Sequence, residues 1–273
     1  MSTIFECLNW RGDLTFDIDG FNNVDALILS LLSYYDFDDA VPMDPGEGIP
    51  LKCAANYFLE NGKMGSELNM PQDKDLLEAL IVHRRYRNLL LHAYVNEVDL
   101  QTQKQFSAIT VDLGNGEYFY SFRGTDNTLV GWKESFNLSF MTVPAQLRAV
   151  RYIQEVSAVL PGYIRTGGHS KGGNLAIYAA AFSGGNIQER LKSVHNFDGP
   201  GFSEAILQCR EYLCIKERAY TFIPQSSVVG MLLEHEDDYR IVSSRQIGFF
   251  QHDLHSWNIE TTDFTYLTGI TRG

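Results

Sequence analysis

The segment Gly168-His169-Ser170-Lys171-Gly172 places a serine midway between two glycines. The residues before it, GYIRTG, are typical of a strand, and those after it, KGGNLAIYAAAF, are typical of a helix. In such a turn the serine hydroxyl stands above the sheet, and the glycines let two backbones pass closely without a side-chain clash. We therefore interpret Ser170 as a candidate nucleophile. The alternative is a small residue at a tight turn that has no chemical role.

A nucleophilic serine needs a general base, and the base is usually oriented by an acid. In chains with this motif, the acid and then the histidine follow later strands. Asp198 follows the predicted strand LKSVHNF, and His252 follows the short apolar run IGFF. We predict Asp198 as the acid and His252 as the base. Asp198 could instead cap the next helix or hold the Gly-Pro-Gly turn, and His255 is the alternative base.

The reaction would also need donors for a negatively charged oxygen. The N–H of Lys171 lies at a predicted helix start, where the helix dipole is positive. A second donor is expected after an earlier strand, and Thr125 follows the predicted strand YFYSF with both an N–H and a hydroxyl. His169 flanks the serine, but we expect it to point to the other side of the turn in a structural role.

The pattern of elements predicts an α/β fold. From residue 163 onward, predicted strands alternate with predicted helices, which indicates a mostly parallel central sheet with helices on both faces. Gly114-Asn115-Gly116 predicts a hairpin, and Pro144 predicts the start of a helix that runs to about residue 160. A further hairpin is predicted at LNWRGDLTF, a long helix from Asp73 to about Leu91, and a short strand at IGFF. We expect one domain over residues 1–273, with the loop-rich residues 36–72 as a candidate cap.

Composition excludes several classes of function. The chain has 273 residues and a formal net charge of −12, and no basic stripe is visible, which argues against a nucleic-acid partner. No apolar run is long enough to span a membrane, and the first residues lack a secretion signal, so we expect a cytoplasmic protein without stable membrane insertion. No Cys/His cluster has zinc-ligand spacing, so we expect neither a metal nor a cofactor. The sequence leaves the oligomeric state open.

With these motifs in place, the sequence resembles class 3 (fungal-type) lipases. The resemblance rests on the segment FRGT, residues 122–125, and on GGHSKGG, residues 167–173. It is still closer to an uncharacterised bacterial family of the α/β-hydrolase fold, through the blocks NNVDALILSLLSYYDF, FDGPGF, IPQSSVVGMLL and QHDLHSW. This resemblance covers nearly the whole chain. It implies an α/β-hydrolase fold, Ser170 as nucleophile, and Thr125 with the Lys171 N–H as the oxyanion hole.

The sequence departs from class 3 lipases at two positions. Their acid follows the strand that corresponds to AYTFI, where this chain has Ser227, which is not a carboxylate. Either Asp198 has taken over the role from the preceding strand, or the triad is incomplete. Lys171 replaces the usual leucine after the nucleophile. We hypothesise that its positive charge favours an anionic or phosphate-bearing substrate.

Three functions remain open at this point. The first is a serine esterase or lipase-like hydrolase acting on a small-molecule ester or lipid. The second is a thioesterase or peptidase that uses the same machinery, because the fold and the triad do not determine the leaving group. The third is a non-catalytic binding or regulatory protein on a hydrolase scaffold, which the missing acid after AYTFI favours.

Overall fold

The central sheet organises the part of the chain that the structure describes. The computed structural model describes residues 2–61, 72–99, 104–124, 143–232 and 239–269. Within these residues, nine strands pair in the order β1-β2-β3-β4-β5-β6-β7-β8-β11, and β9 pairs with β10 in a separate two-stranded sheet. The strands are β1 (Ile49–Pro50), β2 (Leu90–Asp99), β3 (Lys104–Gly114), β4 (Glu117–Phe122), β5 (Tyr163–His169), β6 (Leu191–Phe197), β7 (Ala219–Pro224), β8 (Tyr239–Val242), β9 (Ile259–Glu260), β10 (Asp263–Phe264) and β11 (Tyr266–Leu267).

The centre of the sheet is parallel and its margins are antiparallel. Strands β4 to β8 pair in parallel with their neighbours. Strands β1 to β4 form antiparallel pairs at one margin, and β11 is antiparallel to β8 at the other. The predicted Gly114-Asn115-Gly116 hairpin joins β3 to β4, and all three of its residues have positive φ. The predicted α/β fold with a parallel central sheet is therefore confirmed.

Helices cover both faces of this sheet. Because neighbouring residues of a strand point to opposite faces, Phe119 and Tyr120 of β4 belong to two separate cores. Phe119 packs in the core of the N-terminal helices, and Tyr120 in the core of Pro144–Val159 and Lys171–Phe182. The helices are Ile4–Arg11, Asn23–Leu31, Leu51–Asn61, Gln72–Val82, Arg84–Arg87, Pro144–Val159, Lys171–Phe182, Gly185–Arg190, Glu204–Leu207 and Arg210–Leu213. No helix among the described residues is long and apolar enough to cross a membrane.

Three of the predicted elements are wrong. The predicted hairpin at LNWRGDLTF is instead the end of a helix, Ile4–Arg11, with a turn after it. A capping box starts that helix, because the Glu6 N–H donates to Thr3 Oγ1 (3.2 Å) and the Thr3 N–H donates to the Glu6 carboxylate (2.7 Å). The helix predicted from Asp73 to about Leu91 is interrupted at His83, whose backbone is extended. IGFF, predicted as a strand, leads into a 3-10 turn at Gly248–His252.

The predicted cap region contributes one helix to the core. Helix Leu51–Asn61 packs its side chains Leu51 and Phe58, both buried, into the core of the N-terminal helices. Residues 62–71 of the region lie outside the described part of the chain.

Candidate active site

Ser170 lies on a strained turn between a strand and a helix. Strand β5 ends at His169, and helix Lys171–Phe182 begins at the residue after the serine. The serine has φ 56° and ψ −131°, a region that residues with a side chain rarely adopt. The turn is held because the Ser170 N–H donates to Phe197 O (2.9 Å) and the Gly173 N–H donates to Ser170 O (2.9 Å).

The two glycines of the motif are needed because β4 passes close to the turn. A Cβ on Gly168 would lie 2.6 Å from Phe122 O, and one on Gly172 would lie 2.9 Å from the Phe122 carbonyl carbon. Both distances are shorter than real Cβ contacts, and in each case the obstacle is backbone. The spacing of the two glycines therefore follows from the packing of this turn against β4.

Asp198 and His252 meet beside this turn. His252 Nδ1 lies 2.6 Å from Asp198 Oδ2, and the Asp198 side chain is 1% exposed while that of His252 is 19% exposed. The His252 ring also packs against the ring of His169, the residue before the serine, with centroids 4.3 Å apart. The structure thus brings Asp198 and His252 together, with His252 against the residue before Ser170, as the chain order of the three residues predicts.

The carboxylate of Asp198 has two further donors. Ser227 Oγ donates to Asp198 Oδ1, and the Gly230 N–H donates to the same oxygen (3.1 Å). Gly230 N–H also reaches Ser227 Oγ at 2.8 Å. Ser227 thus occupies the position at which class 3 lipases are expected to carry their acid. Its hydroxyl binds Asp198, the carboxylate that follows the preceding strand, β6. Ser227 was not predicted as a partner of Asp198, because the contact depends on β6 lying beside β7.

Backbone geometry directs Asp198 towards the site. At the end of β6 its N–H continues the sheet by donating to Phe222 O (2.8 Å), and its φ of 51° then turns the chain. Aspartate tolerates this left-handed conformation better than most residues. The following turn is fixed by Asn174 of the serine helix, whose side-chain amide donates to Pro200 O (3.1 Å) and Gly201 O (3.0 Å). Asp198 is therefore held by the sheet and by the serine helix, and it does not cap the next helix, which begins at Glu204.

A buried glutamine holds the loop of His252. Gln251 is 1% exposed, and its Oε1 accepts from the Ser226 N–H at 2.8 Å. Its Nε2 donates to Gln246 O at 2.8 Å. Gln251 thereby links the loop before β8 to the turn that carries His252. The two linked residues, Ser226 and Gln251, immediately precede Ser227 and His252. The sequence gives one signal for this contact, a glutamine immediately before the candidate base.

The alternative base, His255, lies in a different environment. Its Nε2 is 2.8 Å from Asp73 Oδ1, and both side chains are buried, at 3% and 7% exposure. Its ring stacks with Phe5 at a centroid distance of 6.2 Å. The structure therefore places His252, and not His255, on Asp198.

His169 does not point away from the site as expected. Its Nε2 lies 2.9 Å from His252 O, and its Nδ1 lies 3.0 Å from the hydroxyl of Tyr34. Burial, with a smaller contribution from the neighbouring His252, lowers the pKa of His169 well below its usual range. Tyr34 contacts the site as well; it lies in the block NNVDALILSLLSYYDF, but nothing in that block marks it as a partner of His169.

The predicted oxyanion donors are described only in part. Lys171 is the first residue of the serine helix, whereas Thr125 lies outside the described residues. Gly124, just before it, lies against the turn, since a Cβ there would be 2.7 Å from His169 O and 3.2 Å from Ser170 Cβ. The segment after β4 therefore approaches the serine closely.

The Lys171 side chain contradicts the hypothesis of an anion-selective charge. The residue is 1% exposed, and its Nζ donates to the backbone carbonyl of Gln105 at 3.0 Å. Because the ammonium is buried against β3, it does not stand in the solvent above Ser170. Within the described ranges, no group of three or more His, Cys, Asp or Glu side chains has the arrangement of a metal site.

The topology and the serine turn together define the class of protein. A central run of parallel strands, with helices on both faces and a strained serine between β5 and the next helix, is an α/β-hydrolase fold. The sequence pattern of the Mbeg1-like family matches residues 80–273, and the chain belongs to that family. The expected relation to a lipase-like α/β-hydrolase family is thereby confirmed.

Several solved structures of lipases are similar to this chain. The Rhizomucor miehei lipase propeptide complex has a TM-score of 0.45 and 12% identity, covering 81% of this chain and 68% of its own. A lipase from Rhizopus microsporus var. chinensis has a TM-score of 0.41 and 14% identity, with 90% and 82% covered. Lipase II from Rhizopus niveus has a TM-score of 0.41 and 12% identity, with 90% and 86% covered. No curated protein sequence matches the chain.

Proposed function

We propose that this protein is a serine hydrolase that cleaves carboxylic esters. The observation that carries the proposal is the 2.6 Å hydrogen bond between His252 Nδ1 and Asp198, beside the strained turn at Ser170. A carboxylate on Nδ1 keeps the proton there and leaves Nε2 as the basic nitrogen, which is the tautomer a general base needs. The turn at Ser170 is then a nucleophile elbow.

The proposed reaction follows from these roles. Ser170 Oγ attacks the ester carbonyl carbon while His252 Nε2 takes the hydroxyl proton, and Asp198 stabilises the resulting imidazolium. The negative charge on the carbonyl oxygen is stabilised by the Lys171 N–H at the helix start, with Thr125 as the second proposed donor. The tetrahedral intermediate expels the alcohol, which receives the proton from His252. Water then hydrolyses the acyl-enzyme in the same way, and the carboxylic acid leaves.

The surroundings of His252 favour an apolar acyl group. The ring of Phe249 stacks near the His252 ring, at a centroid distance of 6.0 Å, and is 57% exposed. Phe250 on the same turn is 69% exposed, and Val228, next to the Asp198-binding Ser227, is 56% exposed. Exposed apolar side chains grouped in this way commonly mark a binding surface. We therefore propose small esters and lipid esters as the substrate class.

The proposal is tested by labelling the purified protein with a fluorophosphonate probe, which reacts with an activated serine. We expect labelling of the wild type, loss of labelling in Ser170→Ala, and strong reduction in His252→Ala. Ser203→Ala is the matched control, because Ser203 is an exposed serine at the N-cap of helix Glu204–Leu207. Folded wild-type protein that takes up no probe would contradict the proposal. A series of p-nitrophenyl esters of increasing chain length then tests the substrate class.

A further inference from the structure

The ring of His169 connects Tyr34 to the backbone of His252. His169 Nδ1 lies 3.0 Å from the Tyr34 hydroxyl, and its Nε2 lies 2.9 Å from the carbonyl oxygen of His252. The ring centroids are 6.0 Å apart between Tyr34 and His169, and 4.3 Å apart between His169 and His252. The histidine thus contacts the proposed base through both its ring face and a hydrogen bond.

The direction of these hydrogen bonds is determined by the acceptors. A carbonyl oxygen can only accept, so His169 Nε2 carries the proton that it donates to His252. Burial lowers the pKa of His169 well below its usual range, so the ring is neutral at ordinary pH and its Nδ1 has a lone pair. Burial also raises the pKa of Tyr34, so its hydroxyl keeps its proton and donates it to Nδ1. One chain of donation therefore runs from Tyr34 through His169 to His252.

Tyr34 adds a link to the segment after β4. Gly124 lies against the Tyr34 hydroxyl, which is the atom that a Cβ at this position would meet first. The Tyr34 side chain is buried, at 5% exposure, and the residue ends the 3-10 turn that follows helix Asn23–Leu31. The hydroxyl therefore joins the residue before Thr125 to the residue before Ser170.

The turn that carries His252 needs such support. Gly248 on this turn has φ 56°, and the neighbouring Ile247 and Phe250 are 79% and 69% exposed. A base on an exposed turn must be held to a fraction of an ångström, because a misplacement of about 1 Å costs on the order of a hundredfold in rate. Asp198 orients the His252 ring, whereas His169 binds the backbone of the same residue.

We propose that Tyr34 and His169 are positioning residues that hold His252 in register with Ser170. This inference rests on the proposed function, in which His252 is the base. Neither residue exchanges a proton with substrate. Their effect is on the geometry of the base, so their loss lowers kcat and leaves substrate binding unchanged.

Two substitutions of His169 separate this role from simple packing. In glutamine the side-chain nitrogen is separated from Cα by the same number of bonds as Nε2, so His169→Gln retains a donor towards His252 O. In asparagine the amide reaches only as far as Nδ1, so His169→Asn keeps the contact with Tyr34 and loses the one with His252. We expect kcat for p-nitrophenyl butyrate to fall about tenfold to a hundredfold in His169→Asn, with KM within about twofold. His169→Gln should recover most of the rate.

Removal of one hydroxyl tests Tyr34. We expect Tyr34→Phe to lower kcat several-fold and to have no additional effect in the His169→Asn background. Tyr35→Phe is the matched control, because the neighbouring buried Tyr35 donates its hydroxyl to the carbonyl of Asp73 (2.5 Å), outside this chain of donation. Equal rates in the asparagine and glutamine variants would overturn the inference, and so would equal rates in the two phenylalanine variants.

A spectroscopic measurement keeps the inference testable without activity. The Nδ1 proton of His252, shared with Asp198, should give a low-field proton resonance in the wild type and in His169→Gln. In His169→Asn we expect this resonance to broaden or disappear. If the wild type is not labelled by fluorophosphonate but the resonances follow this pattern, the proposed function is wrong, while His169 still holds the His252 ring on Asp198. An unchanged resonance in His169→Asn overturns the positioning role.

Discussion

Replacement of Asp198 by asparagine is the most direct test of the proposed acid. The carboxylate accepts from His252 Nδ1, from Ser227 Oγ and from the Gly230 N–H. An asparagine of the same shape can keep its oxygen towards Ser227 and Gly230, so its NH₂ group then faces His252. An NH₂ group can only donate, and His252 must then accept on Nδ1 and carry its proton on Nε2. In that tautomer Nε2, the proposed basic nitrogen, already carries a proton and is no longer a base.

The expected loss of activity is large, and the expected loss of stability is small. The corresponding change in a serine protease triad lowers kcat by about 10⁴-fold, which equals about 5 kcal/mol of transition-state stabilisation. The two hydrogen bonds to the remaining oxygen are kept but become neutral, at a cost of about 1 kcal/mol in the free energy of unfolding. For a chain of this size that cost corresponds to a decrease in melting temperature of roughly 2–4 °C.

A second buried pair supplies the control for this variant. Asp73 bonds to His255 at 2.8 Å, so this pair resembles Asp198–His252 in chemistry but involves the histidine that is not bonded to Asp198. Asp73→Asn should therefore lower the melting temperature while the rate of fluorophosphonate labelling stays within about threefold of wild type. The assay compares labelling rates at pH 7.5 with melting temperatures for both variants.

Two outcomes would refute this reasoning. If Asp198→Asn were folded and labelled at nearly the wild-type rate, the 2.6 Å contact with His252 would not serve catalysis. If Asp73→Asn lost labelling to the same extent while remaining folded, the two pairs would not have the separate roles that their positions indicate.

Further predictions concern residues around the site and in the sheet. Ser227→Ala removes one donor to the Asp198 carboxylate and should slow labelling up to about tenfold. Ser226→Ala should leave the labelling rate unchanged, because Ser226 contacts Gln251 through its backbone N–H. Gly124→Ala would place a methyl group 2.7 Å from the carbonyl of the residue before the nucleophile, so we expect slower labelling and a melting temperature several degrees lower; a wild-type labelling rate would contradict the contact. Burial lowers the pKa of His195 to about 3, below its value of about 6.5 in the unfolded chain. The unfolded chain therefore takes up a proton at this residue before the folded protein does, so the free energy of unfolding falls as the pH decreases from about 6.5 towards 3. The loss from this group is about 2 kcal/mol at pH 5, and urea titrations at pH 7 and pH 5 should show a smaller difference for His195→Phe than for the wild type. If this difference were the same in His195→Phe and in the wild type, His195 would be protonated equally in the folded and unfolded states, which contradicts the prediction.

Local signals in the sequence were sufficient for much of the fold. The glycine-rich hairpin between β3 and β4 and the helix that starts at Pro144 both depend on the conformations of a few neighbouring residues. The strand–serine–helix turn is similar, because its glycines are required wherever a second backbone passes close by. The wrong prediction at LNWRGDLTF has a local cause too. Arg-Gly-Asp is a turn signal, but the capping box of Thr3 and Glu6 starts a helix just upstream, and this helix continues to Arg11.

The orientations of side chains at the site required the tertiary structure. Lys171 was expected near the substrate, but β3 offers its Nζ a buried carbonyl at Gln105, and His169 was expected to point away but finds an acceptor in the turn of His252. Both outcomes depend on which strand or turn lies beside β5, and residue types along one segment carry no information about that neighbour.

The sequence also left open whether Asp198 is the acid or the triad is incomplete, because it does not show which strand ends lie beside His252. The contacts of Asp198 suggest a reason for the serine at 227. A carboxylate can reach His252 from the end of β6 or from the end of β7, because parallel strands end at the same edge of the sheet. Here the β6 carboxylate, Asp198, occupies the position, and the loop after β7 contributes Ser227 Oγ and the Gly230 N–H to it. A carboxylate at 227 would lie against Asp198 and repel it, whereas a hydroxyl donates to it. A hydroxyl at 227 is therefore compatible with Asp198 as the proposed acid, and the missing carboxylate at 227 is not by itself a sign of an incomplete triad.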